Sequence, residues 1–240
     1  MLRGVCGVYE SCRRLGYKYI LDIANHTISN FFEISDHYYS ETIKANKDNI
    51  RIELFGSYRE LDNFITSHLK DKEYIYFMTH CSLFVYQTPL SEDCRNFIKK
   101  TLTPKKEFQE FLDAHMPSSP YNVIHYRLGD EALLRGNKSN IDTVYANLQH
   151  HGKTGDILLS DSAYFKEYVK INLPDRFTIL DTQQCHVGRA TDMNALRDTL
   201  FEFIVAMRAN SIKTYSIYCW ISGFINTISH IYGVSVVSIK

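Results

Sequence analysis

The second half of the chain alternates between short apolar runs and segments of helical length, and this alternation constrains the fold more than any other feature. Five runs typical of strands lie at 121–127, 156–160, 177–181, 212–217 and 234–239. Between them, helices are predicted at 139–151, 162–172, 192–209 and 220–232. Strands that alternate with helices connect by right-handed crossovers, so this half predicts a doubly wound α/β domain with a parallel sheet.

The first half is less regular but contains the same kinds of element. A helix is predicted over 1–16 with Gly16 as its C-cap, and strands are predicted at 17–23 and 73–81. Further helices are expected at 58–70, at 91–102 with Ser91 as N-cap, and at 105–116. The turn-rich M-P-S-S-P segment at 116–120 predicts a boundary between domains 1–116 and 117–240.

Composition excludes several classes of protein. Formal net charge is zero, with 27 basic and 27 acidic residues, which argues against a nucleic-acid binder. The six cysteines show no C-x-x-C spacing, which indicates reduced, buried thiols rather than a disulfide framework or a zinc site. There is no apolar run of about 18 residues and no signal peptide, so no membrane span is expected. We expect a cytoplasmic enzyme, or a piece of a longer multidomain polypeptide.

The candidate site begins where the strand 121–127 ends, in Y-N-V-I-H-Y-R-L-G-D. Ligands of open α/β sheets bind outside the carboxyl ends of the strands, which places His125, Arg127 and Asp130 at the expected position. Arg127 offers a planar fork of donors suited to two phosphate oxygens, and Gly129 permits a sharp turn or a close approach to a ligand. The alternative interpretation is a strand end with an ordinary surface Arg–Asp pair.

A second candidate lies at the start of the last helix, in S-I-Y-C-W-I-S-G-F at 216–224. Its free N–H groups and helix dipole would face the same cleft and favour an anion, although a helix start packed on an aromatic cluster is the alternative. Trp220 is expected in the core. Neither G-x-G-x-x-G nor a P-loop motif occurs at a strand–helix junction, which argues against a dehydrogenase and a P-loop NTPase.

Three further residues are less clearly functional. Asp161 follows a strand and would either accept bonds from a base or ribose or cap the next helix. His186 lies in a loop that would face a nucleotide, or is structural, and Glu202 is expected on a solvent-exposed helix face. No D-x-D motif and no spaced histidine ligands indicate a metal site.

Several of these segments resemble the fucosyltransferase superfamily. H-Y-R-L-G-D at 125–130 resembles its H-x-R-x-G-D signature, and 2–16 resembles its first helix, R-L-x-G-x-x-x-A-Y-x-x-A-x-x-L-G. The segment 216–224 resembles the S-x-Y-x-W-x-S-G-F stretch near the carboxyl end of such sequences, and weaker matches occur at 160–161 and 186–188.

The resemblance implies an α/β, GT-B-like glycosyltransferase with two Rossmann-type halves and parallel sheets, the N-terminal half being reduced. Residues 1–116 would form the acceptor-side domain, and 117–240 would bind the nucleotide sugar. The implied reaction transfers a 6-deoxyhexose, fucose by likeness, from GDP-fucose to a hydroxyl of a glycan acceptor. It inverts the anomeric centre and needs no metal ion.

The resemblance also assigns roles to residues. Arg127 would grip the pyrophosphate and neutralise the leaving group, and Asp130 or Glu131 would be the general base. The donor pocket would consist of His125, Arg127, Gly129, Asp161, His186, Ser216, Ser222, Gly223 and Phe224.

Two departures keep other functions open. Many fucosyltransferases carry a second basic residue where this chain has Leu128, which leaves UDP- or dTDP-rhamnose as the alternative donor. The chain also starts almost inside its first helix, which favours a front-trimmed enzyme, a domain of a longer polypeptide, or a non-catalytic module that binds glycans or a protein. A serine hydrolase built on Ser160 or Ser162 lacks the G-x-S-x-G elbow.

Overall fold

The computed structural model describes residues 2–23, 26–34, 51–70, 77–81, 83–117, 120–129, 138–185 and 192–240. The chain forms two compact units, Met1–Lys106 and Glu107–Lys240. The division falls near the start of the helix that follows Lys105. The sequence analysis assigned this helix to the first domain, 1–116. Within the described ranges, none of the helices has the length and apolar character needed to cross a membrane.

The first unit combines helices with two small strand pairs. Its elements are α1 (Leu2–Leu15), β1 (Phe32–Ile34), β2 (Arg51–Phe55), α2 (Tyr58–Leu69), β3 (Phe77–Cys81), α3 (Glu92–Thr101) and β4 (Leu102–Pro104). Short 3₁₀ helices span Thr27–Asn30 and Leu83–Tyr86. Strands β2 and β3 pair in parallel, whereas β1 and β4 pair antiparallel.

Local signals explain most of the boundaries in this unit. Gly16 adopts a left-handed φ of 75° after α1, and the Ser91 hydroxyl accepts the Cys94 N–H at the start of α3, as the sequence predicted. Buried Glu10 of α1 accepts the Ser91 N–H at 2.7 Å, which ties the two helices together. The predicted strand at 17–23 is wrong, because these residues follow an irregular path and join none of the sheets in the described part of the chain.

The second unit is the doubly wound domain that the alternation predicted. Its elements are α4 (Lys106–His115), β5 (Val123–Arg127), α5 (Lys138–His151), β6 (Ile157–Ser160), α6 (Ala163–Asn172), β7 (Thr178–Ile179), α7 (Met193–Met207), β8 (Ser211–Ser216), α8 (Gly223–Tyr232) and β9 (Ser235–Ser238). The strands pair in parallel in the order β7-β6-β5-β8-β9.

The strand order reverses between β5 and β8. From β5 the chain moves outward through β6 to β7, then returns to the other side of β5 as β8 and continues outward to β9. In open α/β sheets, ligands bind at such a reversal, in the crevice outside the carboxyl ends of the two strands. The crevice next to the ends of β5 and β8 is therefore the place where the fold itself predicts a ligand.

The core of the second unit lies on the central strands. All four residues of β6 are buried, as are the first four of β5, which is expected for parallel strands covered on both faces. One core cluster consists of Ile124, Tyr126, Leu128, Ile141, Val144, Leu148, Leu158, Phe165, Val169, Phe177 and Ile239. This packing holds the ends of β5, β6 and β8 in fixed positions beneath the crevice.

Candidate functional site

The ladder between β5 and β8 brings the first two candidate residues side by side. Arg127 and Ser216 are direct partners in the parallel register, and the Ile217 N–H donates to the Arg127 carbonyl at 3.1 Å. They are 89 positions apart in the chain (216 − 127). The topology thus joins the H-Y-R-L-G-D segment and the S-I-Y-C-W-I-S-G-F segment at one crevice.

Asp161 fixes the end of β5. Its carboxylate pairs with the Arg127 guanidinium and also accepts the backbone N–H groups of Leu128, at 2.7 Å, and Gly129, at 3.1 Å. The Arg127 side chain is 44% exposed, so part of its donor fork faces solvent. Asp161 therefore orients both the guanidinium and the backbone that carries it.

Of the two interpretations left open for Asp161, helix capping does not apply. The N-cap of α6 is Ser162, whose hydroxyl accepts the Phe165 N–H at 3.1 Å. Ser160 is also engaged, since its hydroxyl donates to the Tyr126 carbonyl at 2.9 Å. With the cap supplied by its neighbour, the Asp161 carboxylate is free to reach across to β5.

The two residues after Arg127 have different structural roles. Leu128 is fully buried in the core cluster, so the position where many fucosyltransferases carry a second basic residue is a core position here. Gly129 has φ of 69°, and a Cβ there would lie 3.3 Å from the Tyr218 hydroxyl oxygen. The left-handed φ favours glycine at this position, and a Cβ would also require the Tyr218 hydroxyl to shift by a few tenths of an ångström.

His125 lies inside the second unit rather than on its surface. It is 5% exposed, its Nδ1 is 3.0 Å from the Thr214 hydroxyl of β8, and its ring stacks on Phe224 at 6.0 Å between centroids. Burial lowers the pKa of His125 to about 4, so the imidazole is neutral near pH 7. It joins β5 and β8 to the first turn of α8.

The amino terminus of α8 lacks a side-chain cap. Ser222 occupies the N-cap position, but its hydroxyl makes no capping hydrogen bond, and the helix starts at Gly223 rather than at the predicted 220. The first N–H groups of a helix and the positive end of its dipole attract anions. Ser216 is buried and its hydroxyl accepts the Tyr218 N–H at 3.2 Å, which shapes the turn into this segment.

Phe224 packs in an aromatic cluster, which is the alternative interpretation that the sequence left open for this helix start. Its ring contacts His125 and lies edge-on to Phe203 at 5.4 Å between centroids. Aromatic packing thus anchors the first turn of α8, and the N–H groups of that turn remain at the carboxyl edge of the sheet. The two interpretations are compatible, because they concern different atoms.

Trp220 is not a core residue, contrary to the sequence-based expectation. It is 54% exposed and stacks on Tyr218, with ring centroids 5.2 Å apart and planes 15° apart. The Tyr218 ring centroid in turn lies 6.0 Å from Cζ of Arg127. Both aromatic rings belong to the irregular segment 217–222 between β8 and α8.

A buried network holds the segment that follows β7. Glu202 of α7 is fully buried, contrary to the expectation that it faces solvent, and it accepts hydrogen bonds from Thr182 and Gln184. Lys166 of α6 lies 3.4 Å from the Glu202 carboxylate and also donates to the Thr182 carbonyl at 2.9 Å. Burial raises the pKa of Glu202, and the Lys166 ammonium opposes that rise.

Backbone bonds from the same segment complete the attachment. The Gln183 N–H donates to the Asp198 carboxylate at 3.1 Å, and the Cys185 N–H donates to the Thr199 hydroxyl at 2.9 Å. Residues 182–185 are therefore fixed against α7 at the carboxyl edge of the sheet. The sequence did not predict this, because the partners of the segment lie on two other elements, α6 and α7.

Three predicted site residues lie outside the described ranges, namely Asp130, Glu131 and His186. Of the cysteines, Cys6, Cys12 and Cys94 are buried free thiols as expected, whereas Cys219 is exposed. No group of three or more His, Cys, Asp or Glu side chains in the described part of the chain is arranged to hold a metal ion.

The fold and this crevice define a GT-B-like α/β protein. A scan of protein-family models gives no match, and neither does a search of curated proteins. Among solved structures, NodZ α-1,6-fucosyltransferase co-crystallized with GDP matches with a TM-score of 0.58 and 14% identity, covering 95% of this chain and 86% of that chain.

Two further crystal structures of the same enzyme agree with that result. NodZ soaked with GDP-fucose matches with a TM-score of 0.56 at 14% identity, over 96% of this chain and 87% of that one. NodZ from Bradyrhizobium matches with a TM-score of 0.55 at 13% identity, over 95% and 87%. At such identities the likeness establishes the fold, which confirms the predicted fold class.

Proposed function

We propose that this chain is a glycosyltransferase that moves a 6-deoxyhexose from a nucleotide sugar to a hydroxyl of a glycan. The observation that carries the proposal is the position of Arg127 at the reversal of strand order, paired in register with the end of β8. From there the chain leads into α8, whose N-cap serine makes no side-chain cap. A guanidinium and free helix N–H groups at one crevice suit a diphosphate.

Arg127 has the central role in the proposed mechanism. The acceptor hydroxyl attacks C1 of the donor sugar on the face opposite the diphosphate, the bond between C1 and the diphosphate oxygen breaks, and the configuration inverts. Negative charge grows on the leaving diphosphate as an oxocarbenium-like state forms. A preorganised guanidinium stabilises that charge without reorganising during the reaction. Asp130 or Glu131 is proposed to take the hydroxyl proton.

Asp161 and His125 are proposed to position this machinery. Three donors converge on the Asp161 carboxylate, so its removal would free the guanidinium and the backbone at residues 127–129 together. The neutral His125 ring supports Phe224 in the first turn of α8 and would thereby hold the helix N–H groups in place. Positive charge from Arg127 and the helix end would replace a metal ion on the diphosphate.

We propose GDP-fucose as the donor, ahead of UDP- or dTDP-rhamnose. Of the similar NodZ structures, one was co-crystallized with GDP and another was soaked with GDP-fucose. The lack of a second basic residue at Leu128 argues less strongly against GDP-fucose than the sequence alone suggested, because that side chain is buried in the core. Residues 1–116 are proposed to form the acceptor side.

Isothermal titration of GDP, UDP, GDP-fucose and UDP-rhamnose, with and without Mg²⁺, tests the proposal. Wild type and Lys153→Gln, which removes a charge at the opposite edge of the sheet, are expected to bind GDP equally. Arg127→Gln is expected to lose about 10- to 100-fold in affinity, the size of one charge-assisted hydrogen bond.

The other outcomes distinguish the alternatives. Binding of UDP in place of GDP would support the rhamnosyl donor, and binding of no nucleotide at millimolar concentration would refute the transferase and leave a non-catalytic binding module. Transfer of fucose from GDP-fucose to a panel of glycans, absent in Arg127→Gln and present in Lys153→Gln, would establish the reaction.

A further inference from the structure

Trp220 presents an exposed aromatic ring beside the candidate phosphate site, stacked on the half-buried Tyr218. The two ring planes differ by only 15°, and Trp220 is the ring of the pair that is 54% exposed. Ile217 and Ile221 on either side are also partly exposed, which widens the apolar surface. Exposed aromatic and aliphatic side chains grouped in one segment are a common feature of binding surfaces.

Two hydrogen bonds of its backbone hold Tyr218 in place. The Tyr218 N–H donates to the Ser216 hydroxyl at 3.2 Å, and the Tyr218 carbonyl accepts from the Lys240 ammonium at 3.3 Å. The Tyr218 hydroxyl oxygen lies 3.3 Å from the point where a Cβ on Gly129 would stand, so the glycine leaves room for the phenol. The Tyr218 backbone is therefore anchored on both sides, and Trp220 contacts it through ring stacking.

We propose that Tyr218 and Trp220 form a stacking platform for the nucleobase of the donor, an inference that rests on the proposed function. The Tyr218 ring is 6.0 Å from Cζ of Arg127, and a ribose is all that separates the diphosphate of a nucleotide from its base. A diphosphate held by Arg127 thus brings a base within reach of the platform. Bases of any identity stack on aromatic rings through their π faces.

The chemistry of the segment favours a base over a sugar ring. Residues 217–221 read Ile-Tyr-Cys-Trp-Ile and contain no carboxylate or carboxamide. A pyranose presents several hydroxyls that require such partners, whereas a base presents an apolar face that requires only a flat surface. The platform would bind the base by its face and leave its edges to other residues.

The chain contains a single tryptophan, so its fluorescence reports on Trp220 alone. GDP is expected to quench this fluorescence. Inorganic pyrophosphate and fucose 1-phosphate are expected to bind, as measured by calorimetry, with little quenching. Quenching by fucose 1-phosphate but not by GDP would overturn the inference, because the platform would then bind the pyranose.

Substitution of Trp220 separates the platform from the phosphate site. Trp220→Ala is expected to lower GDP affinity about 5- to 100-fold, the range of base–aromatic stacking, without changing pyrophosphate affinity. Trp220→Phe should retain most of the GDP affinity. Ile171→Ala removes another exposed apolar side chain, on α6, and should leave GDP affinity as in wild type.

The possible failures are distinguishable. Equal GDP affinity in wild type and Trp220→Ala would refute the platform and leave the proposed transferase intact. Loss of pyrophosphate affinity in Trp220→Ala would also refute it, because the substitution would then be damaging the phosphate site. Absence of nucleotide binding to wild type would refute the proposed function and, with it, the platform.

Discussion

Replacing Asp161 with asparagine tests whether one carboxylate organises the candidate site. The side chain keeps its shape and one acceptor oxygen, while the other oxygen becomes an amide NH₂ group. That group would face N–H donors of the chain, since the carboxylate accepts from Leu128, Gly129 and the Arg127 guanidinium. At least one donor must therefore lose its partner.

The size of the effect follows from these contacts. A hydrogen bond to a charged group contributes about 1.5–3 kcal/mol, and the substitution removes at least one such bond to a backbone N–H. The ion pair itself adds little, about 0–1 kcal/mol, because the Arg127 side chain is nearly half exposed. We expect a loss of about 2–3 kcal/mol in the free energy of unfolding of the second unit. The backbone at 127–129 also loses its tether, so GDP affinity should fall by about 10-fold.

Urea denaturation and calorimetry measure the two effects separately. Asp161→Asn should lower the urea midpoint without changing the slope of the transition, and Asp142→Asn, on the exposed face of α5, should leave both unchanged. Unchanged stability together with unchanged GDP affinity would refute the view that Asp161 organises the site. Loss of stability with full GDP affinity would show that the tether supports the fold but not the guanidinium.

Three further predictions follow from the buried groups and the left-handed turn. Burial lowers the pKa of His125 from 6.5 to about 4, so the unfolded chain binds more protons than the folded chain between these two pH values. The free energy of unfolding should therefore fall by about 2 kcal/mol from pH 7.5 to pH 5. His125→Asn should remove that loss, as measured by urea titration at both pH values. Lys166→Met leaves the buried Glu202 carboxylate without its cation and should cost about 3–5 kcal/mol, whereas adding Glu202→Met should recover part of that loss in the same assay. Gly129→Ala and Gly155→Ala both force alanine into a left-handed conformation and should each cost about 1–2 kcal/mol in the free energy of unfolding. Only Gly129→Ala, whose Cβ would crowd the Tyr218 hydroxyl, should also weaken GDP binding by calorimetry.

Sequence patterns predicted the doubly wound unit well because its signals are local. Central strands buried on both faces appear as unbroken apolar runs, and Val123–Arg127 and Ile157–Ser160 formed where such runs occur. Capping signals set helix ends in the same way, as at Ser91. The failure at 17–23 has the complementary cause, since a strand requires a ladder partner that local sequence does not specify.

The burial of individual side chains was harder to predict from the sequence. Glu202 resembles a solvent-exposed helix residue, yet it is buried because Lys166 and the segment after β7 supply a cation and two hydrogen bonds. Trp220 resembles a core residue, yet it is exposed because α8 begins three residues later than predicted (223 − 220), which leaves it in the connecting segment. In both cases the outcome depends on neighbours far away in the chain.

The candidate site illustrates how topology adds to local pattern. The sequence marked Arg127, Asp161 and Ser216 separately, each at the predicted end of a strand. It did not indicate that Asp161 would reach the backbone after β5, because that contact depends on β6 lying beside β5 and on Ser162 taking the helix cap. A strand order of β7-β6-β5-β8-β9 places β5 between the strands that carry the other two residues. Arg127 is thereby held by the Asp161 carboxylate on one side and borders the turn into α8 on the other. The guanidinium is therefore fixed in orientation, while part of its donor fork stays open to an anion.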